Sequence, residues 1–138
     1  MTYLLDSGFL YSSIDTNDIY HNAVVAIARS IRGRVLFPTP AITETAYFLS
    51  KNVGLASTID FLGRLSTSEF ELVSPEPTDL LRSAEILRKY NDSNIDFVDA
   101  CIAAMAERLN ITRILTVDRR HFSMFRPTHC EAFELLPQ

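Results

Sequence analysis

The sequence predicts an α/β fold, with helices layered on both sides of a parallel sheet of four to five strands. Three observations lead there. Short apolar runs alternate with amphipathic stretches of helical period, which is the pattern of βαβ units. The runs are apolar enough to be strands covered on both faces. One stretch, Asp96–Leu109, is apolar on nearly every side, as a helix buried between layers must be.

Tyr3-Leu4-Leu5 reads as the first strand and ends in Asp6. Residues 17–32 read as a helix: Ile19, Ala23, Ala26, Ile27 and Ile31 fall at helical spacing, and Asn17 can cap the start. Arg34–Phe37 is the second strand, closed by Pro38. Pro40 then sits where a first helical turn accepts proline, and Ala41–Lys51 is the helix that follows. Leu55–Leu65 is another helix, with Ile59, Leu62 and Leu65 on one side. Phe70–Val73 is the third strand, followed by the turn Ser74–Pro77. Thr78 caps a helix over Asp79–Tyr90, and Asn91–Asn94 is a polar break before Asp96–Leu109. Arg113–Val117 is the fourth strand, running into Asp118, and Ala132–Leu136 is a short last one. With no repeat or linker, residues 1–138 are expected to form a single domain.

Composition narrows the chemistry. Hydrophobic residues make up 47% of the 138, enough to fill a core without disulfides or structural zinc. Cys101 and Cys130 stand in no CxxC or Cys/His cluster, which fits a reducing cytoplasm. No stretch reads as a signal peptide or a membrane span. The net charge of −4 argues against nucleic-acid binding by general electrostatics, so any such binding needs a local basic patch or a bound cation. The patch is present: Arg119, Arg120 and His121 directly follow Asp118, with Arg113 and Arg126 nearby.

Most of the 17 acids fall on polar faces, but four do not. Asp6 and Asp118 end the first and fourth strands, where parallel sheets bind ligands if those strands are neighbours. Asp99 lies in the first turn of the most apolar helix, and Glu44 has Tyr47 and Phe48 beside it. Singly, each has a plain structural reading: a helix cap, a favourable first-turn acid, or an exposed acid on an amphipathic helix. Jointly they call for a counter-charge, because no lysine or arginine is placed to neutralise all four. A hard divalent cation, Mg²⁺ or Mn²⁺, would do so. Asp96 fits a helix start, with a supporting role at the site open to it. Thr116 shares a side of its strand with Asp118, so its hydroxyl can hold a carboxylate or a metal-bound water. Ser7 can do the same or begin a helix.

Four segments in order carry a resemblance: LLDSGFL (Leu4–Leu10), ITETAYFL (Ile42–Leu49), DFVDACIAAMAERL (Asp96–Leu109) and ILTVDRRHF (Ile114–Phe122), with FELLP at Phe133–Pro137. They resemble the PIN-domain superfamily, and more closely the VapC-type toxin ribonucleases of bacterial toxin–antitoxin pairs. The resemblance implies a PIN-like sheet with the first and fourth strands adjacent. It implies catalytic metal ligands at Asp6, Glu44, Asp99 and Asp118, and an endoribonuclease that hydrolyses RNA phosphodiesters with Mg²⁺ or Mn²⁺. Asp96 stands where related toxins often have serine. The resemblance further implies a homodimer, silenced by a small VapB-type antitoxin.

Around such a site Thr116, Ser7 and Asp96 are expected to support the acids, and Arg119, Arg120 and His121 to contact RNA phosphates. Rival chemistries fit less well. An aspartyl phosphatase wants a second Asp two after the first, where Gly8 stands, and a receiver domain wants a lysine near the last strands, whereas the only lysines are Lys51 and Lys89. A non-catalytic RNA-binding or interaction module is the remaining alternative; its expected mark is a missing site acid, and none is missing.

Overall fold

The computed structural model describes residues 1–138. Its five short strands form one sheet, and every pairing is parallel. They are β1 (Thr2–Leu5), β2 (Arg34–Pro38), β3 (Glu71–Val73), β4 (Arg113–Leu115) and β5 (Glu134–Leu136), in the order β3-β2-β1-β4-β5. Central β1 sets Leu4 opposite Leu36 of β2 on one side and Ile114 of β4 on the other. All three leucine and isoleucine side chains are buried, as the apolar runs require.

Seven helices connect the strands: α1 (Ser7–Ile14), α2 (His21–Ser30), α3 (Thr39–Asn52), α4 (Leu55–Ser66), α5 (Pro77–Lys89), α6 (Phe97–Leu109) and α7 (Arg119–Met124). The chain steps outward from β1 to β2 to β3, then returns past β1 to β4 and β5. With right-handed crossovers, α1–α4 fall on one face and α5–α7 on the other. The packing divides the same way: α1 touches α2 and α3, α3 touches α4, and α6 lies between α5 and α7. The reversal of direction puts a crevice at the carboxyl ends of β1 and β4.

The layered fold, the five strands and the buried α6 agree with the expectation. Ala100 to Ala106 of α6 are all buried, Cys101 among them, and Asn110 closes the helix in the left-handed conformation at φ 55°. Several boundaries differ. Two short helices, α1 and α7, add to the five expected; each begins directly after its capping aspartate, Asp6 or Asp118, as the helix-cap readings of those residues allow. The helix expected over 17–32 begins only at His21. Asp15 and Asp18 accept hydrogen bonds from the backbone of Asn17 and Tyr20, holding those residues in turns, so Asn17 caps nothing. Val24 is its buried residue; Ile19 is 87% exposed and Ala23 and Ala26 lie outside the core.

α4 is also rotated from expectation. Phe61 and Thr58 face inward, whereas Ile59 and Leu62 face out. α5 starts earlier than Thr78, at Pro77, and the backbone N–H of Glu76 is satisfied by Asp79 Oδ2 at 2.8 Å. β4 stops at Leu115, although the Thr116 N–H still bonds the Leu136 carbonyl of β5 at 2.9 Å.

Candidate active site

Four carboxylates converge at the crevice, each from a different element. Asp6 follows β1 and caps α1, accepting the backbone N–H of Ser7 on Oδ1 at 2.9 Å. Glu44 comes from the second turn of α3. Asp99 is in the first turn of α6 and donates its backbone N–H to the N-cap Asp96 at 3.0 Å. Asp118 follows β4 and caps α7, accepting the backbone N–H of His121 at 3.1 Å. The capping reading of Asp6 and Asp118 is therefore realised, and it leaves both carboxylates at the crevice. Asp96 is a cap, exposed at the rim.

Two hydroxyls hold these acids. Thr116 Oγ1 donates to Asp6 Oδ2 at 2.7 Å and accepts the backbone N–H of Asp118 at 2.9 Å. It thereby couples the ends of β1 and β4. The Ser7 hydroxyl donates to Glu44 Oε1. Both hydroxyls are buried, and the Thr116–Asp6 contact is buried on both sides, so water does not compete for it.

The charge balance sets these acids apart from others in the molecule. Buried Asp79 pairs with Arg108 at 2.9 Å, and the nearly buried Glu107 pairs with Arg82 at 2.7 Å. None of the four site acids forms an ion pair with a lysine or arginine. Burial pushes Asp6 up to about 7, against the lowering effect of the Thr116 hydroxyl, with Glu44 and Asp118 adding to the rise. Burial likewise raises Glu44, opposed by Ser7 and reinforced by Asp96 and Asp118. Asp99 is raised by burial first, then by repulsion from Asp96, Asp6, Asp118 and Glu44. Three acids raised in this way, with Asp118 among their neighbours, form a site that resists carrying its full negative charge alone. The donor set suits a hard divalent cation.

His121 completes the group. Its Nδ1 lies 2.9 Å from Asp118 Oδ2 and 3.3 Å from Asp99 Oδ2, and its Nε2 bonds the Ser93 carbonyl at 3.1 Å. One ligand atom each from Asp99, Asp118 and His121 lie within 4.8 Å of one another. The sequence reading placed His121 with the phosphate-binding arginines and missed this orientation. A signal existed: His121 is the third residue after the cap Asp118, and a side chain there folds back toward the cap.

The basic residues separate by environment. Arg119 donates to the Pro137 carbonyl at 2.9 Å, Arg113 pairs with Glu134 at 3.0 Å, and Arg126 bonds carbonyls of the preceding turn. Arg120 is exposed, and its guanidinium has no partner in the protein. A concavity of about 520 Å³ lies elsewhere, between α1, α4 and Phe70, with no site acid in its lining.

Compared with known families, the chain matches the PIN domain over residues 3–125. It is 28% identical over 134 residues to ribonuclease VapC26 of Mycobacterium tuberculosis (strain ATCC 25618 / H37Rv), spanning 97% of this chain and 99% of that protein. Among solved structures it resembles Mycobacterium tuberculosis VapC20, a Sarcin-Ricin loop cleaving toxin. The TM-score is 0.80 at 16% identity, covering 86% of this chain and 92% of that one. It also resembles VapBC2 from Rickettsia felis bound to a promoter DNA fragment, with a TM-score of 0.68 at 18% identity over 98% of each chain. At these identities the two structures speak to the fold.

Proposed function

The chain belongs to the PIN-domain family, and on that premise we propose that it is a metal-dependent endoribonuclease, the toxin of a bacterial toxin–antitoxin pair. The observation that carries the reading is the convergence of Asp6, Glu44, Asp99 and Asp118 without a lysine or arginine to neutralise them. The likeness to a VapC ribonuclease over nearly the whole chain supports RNA as the substrate.

In this reading the four acids hold one or two Mg²⁺ or Mn²⁺ ions. When bound, the ion supplies Lewis-acid polarisation of the scissile phosphate and a water of lowered pKa. The protein's own part is orientation. Thr116 fixes Asp6, and Ser7 fixes Glu44. Asp96 sets the start of α6, and with it the position of Asp99. Of Arg119, Arg120 and His121, the residues expected to face substrate phosphates, His121 turns to the acids instead and Arg119 is held at the Pro137 carbonyl. Arg120 is the member whose charge is free to face them. The presence of every site acid favours the enzyme over a non-catalytic module.

The partners belong to the same proposal: a VapB-type antitoxin and a second copy of the chain. Ile59 and Leu62 on α4 and Tyr47 on α3 are more than 45% exposed, an apolar area that suits a protein partner. No helix is long and apolar enough to cross a membrane. Both cysteines are free, and the proposed setting is the cytoplasm as one domain over residues 1–138. Purified protein with Mg²⁺ or Mn²⁺ should cut RNA to leave 5′-phosphate and 3′-hydroxyl ends, and EDTA or Asp99→Asn should stop it. Cyclic phosphate ends, or cleavage that survives EDTA, would overturn the reading.

A further inference from the structure

We propose that His121 Nδ1 is a direct ligand of the ion held by Asp99 and Asp118, making the site a mixed nitrogen–oxygen centre that takes Mn²⁺ in preference to Mg²⁺. The inference rests on the reading of the acid crevice as a metal site.

The hydrogen bond to Ser93 sets the ring. A backbone carbonyl only accepts, so His121 Nε2 must carry the hydrogen that fills the 3.1 Å contact. In the neutral ring Nδ1 is then a bare lone pair, aimed at Asp118 Oδ2 and Asp99 Oδ2. Three acceptors facing one point repel unless something positive sits among them. A ring whose far nitrogen donates to a backbone carbonyl, with the near nitrogen turned to carboxylates, is how proteins prepare an imidazole for a metal.

The distances agree. Two ligands at right angles around one ion, each at about 2.1 Å, stand about 3.0 Å apart. Nδ1 stands 2.9 Å from one carboxylate oxygen and 3.3 Å from the other. The His121 side chain is 18% exposed, so the ring is held in place rather than swinging in solvent. Mg²⁺ prefers oxygen and keeps its waters, so of the two ions Mn²⁺ is the one that gives up a water to an imidazole nitrogen more readily. His121 therefore shifts selectivity toward Mn²⁺.

The test is electron spin echo spectroscopy of the full-length protein loaded with Mn²⁺. A directly bound imidazole gives nitrogen modulation, which should change to the ¹⁵N pattern when the protein is made with ¹⁵N-histidine. His121→Asn should remove it and cut Mn²⁺ affinity on the order of tenfold, with less effect on Mg²⁺. Should that variant misfold, the double variant His21→Asn/His129→Asn must keep the modulation. Tight Mn²⁺ binding with no histidine modulation would overturn the inference and leave the acid site standing. No Mn²⁺ binding at all would overturn both. An imidazolium that only pairs with the acids predicts the first of these two outcomes.

Discussion

Thr116 and Asp6 are joined by a 2.7 Å hydrogen bond across 110 residues of chain, from the end of β4 to the end of β1. The same Thr116 oxygen accepts the backbone N–H of Asp118, so one hydroxyl aims two site acids. Thr116→Val keeps the shape and deletes both contacts. Cleavage should fall on the order of 10–100-fold, the range for losing a supporting partner at a metal site. Stability should drop by about 1–3 kcal/mol, because a buried N–H loses its acceptor. Thr116→Ser should restore most of both. An unchanged cleavage rate in Thr116→Val would remove Thr116 from the site.

The acids predict an unusual pH profile for the metal-free protein. Asp6, Glu44 and Asp99 are raised above their unfolded values, so the folded state binds more protons and stability falls as pH rises. For Asp6 the loss begins near the ordinary carboxylate range and is complete above about 7; at about 1.4 kcal/mol per unit it amounts to on the order of 4 kcal/mol. The paired acids Glu107 and Glu71 are lowered, so their contribution is lost only in more acidic solution. In EDTA the melting temperature should therefore fall from about pH 5 to about pH 8, and saturating Mn²⁺ should flatten the slope. Circular dichroism melts across that range would decide it; a rise with pH in EDTA contradicts the charge cluster.

Asp99→Asn separates stability from function. Removing the acid most opposed by its neighbours should raise the melting temperature in EDTA at neutral pH. The same change should abolish the stabilisation by Mn²⁺, which in wild type is worth about 2.7 kcal/mol at a hundredfold excess over Kd. Thermal shift assays with and without Mn²⁺ would read both signs. A variant that is destabilised in EDTA yet still stabilised by Mn²⁺ would show that Asp99 serves folding instead.

Asp96 should behave differently from Asp99 although only three residues away. Its carboxylate caps α6 and is exposed. Asp96→Asn keeps the cap and should keep cleavage within about tenfold, while Asp96→Ala should cost about 1 kcal/mol of stability. Cleavage assays beside urea titrations would compare the two. A dead Asp96→Asn in a stable fold would make Asp96 a ligand.

Among the basic residues, Arg120→Ala should weaken RNA binding and lower its salt slope by about 1, as one phosphate contact does. Arg119→Ala should act first on stability, because its guanidinium holds the Pro137 carbonyl beside β5. Binding isotherms at several salt concentrations, using a variant with Asp99→Asn to prevent cleavage, would distinguish them. A larger loss for Arg119 would reverse the assignment.

The parts of the molecule legible in sequence were those with one dominant signal. Tyr3–Leu5, the α6 stretch and the strand-end acids Asp6 and Asp118 each stood out against their surroundings. The misread parts had competing signals. Around α2, Ile19 continued the apolar spacing, but Asp15 and Asp18 trapped the chain in turns and delayed the helix. In α4 the stripe of Ile59 and Leu62 was real yet faces outward, since periodicity gives a stripe without saying what covers it. Asp79 and Glu107 looked like ordinary polar-face acids; their burial depends on Arg108 and Arg82, which only tertiary packing brings close. His121 was legible as near the site but not as turned toward it, because ring direction follows from Ser93, a backbone group in a distant loop.

The sheet order has a consequence for timing. Central β1 precedes β2, β3 and six helices in the chain, and its neighbour β4 and the last acid, Asp118, follow them. Until Thr116 and Asp118 are made, Asp6 lacks both the hydroxyl that holds it and the last of the four acids. The growing chain thus carries its cutting chemistry in separate, inert pieces, and the site closes only when the second half of the sheet has been added to the first.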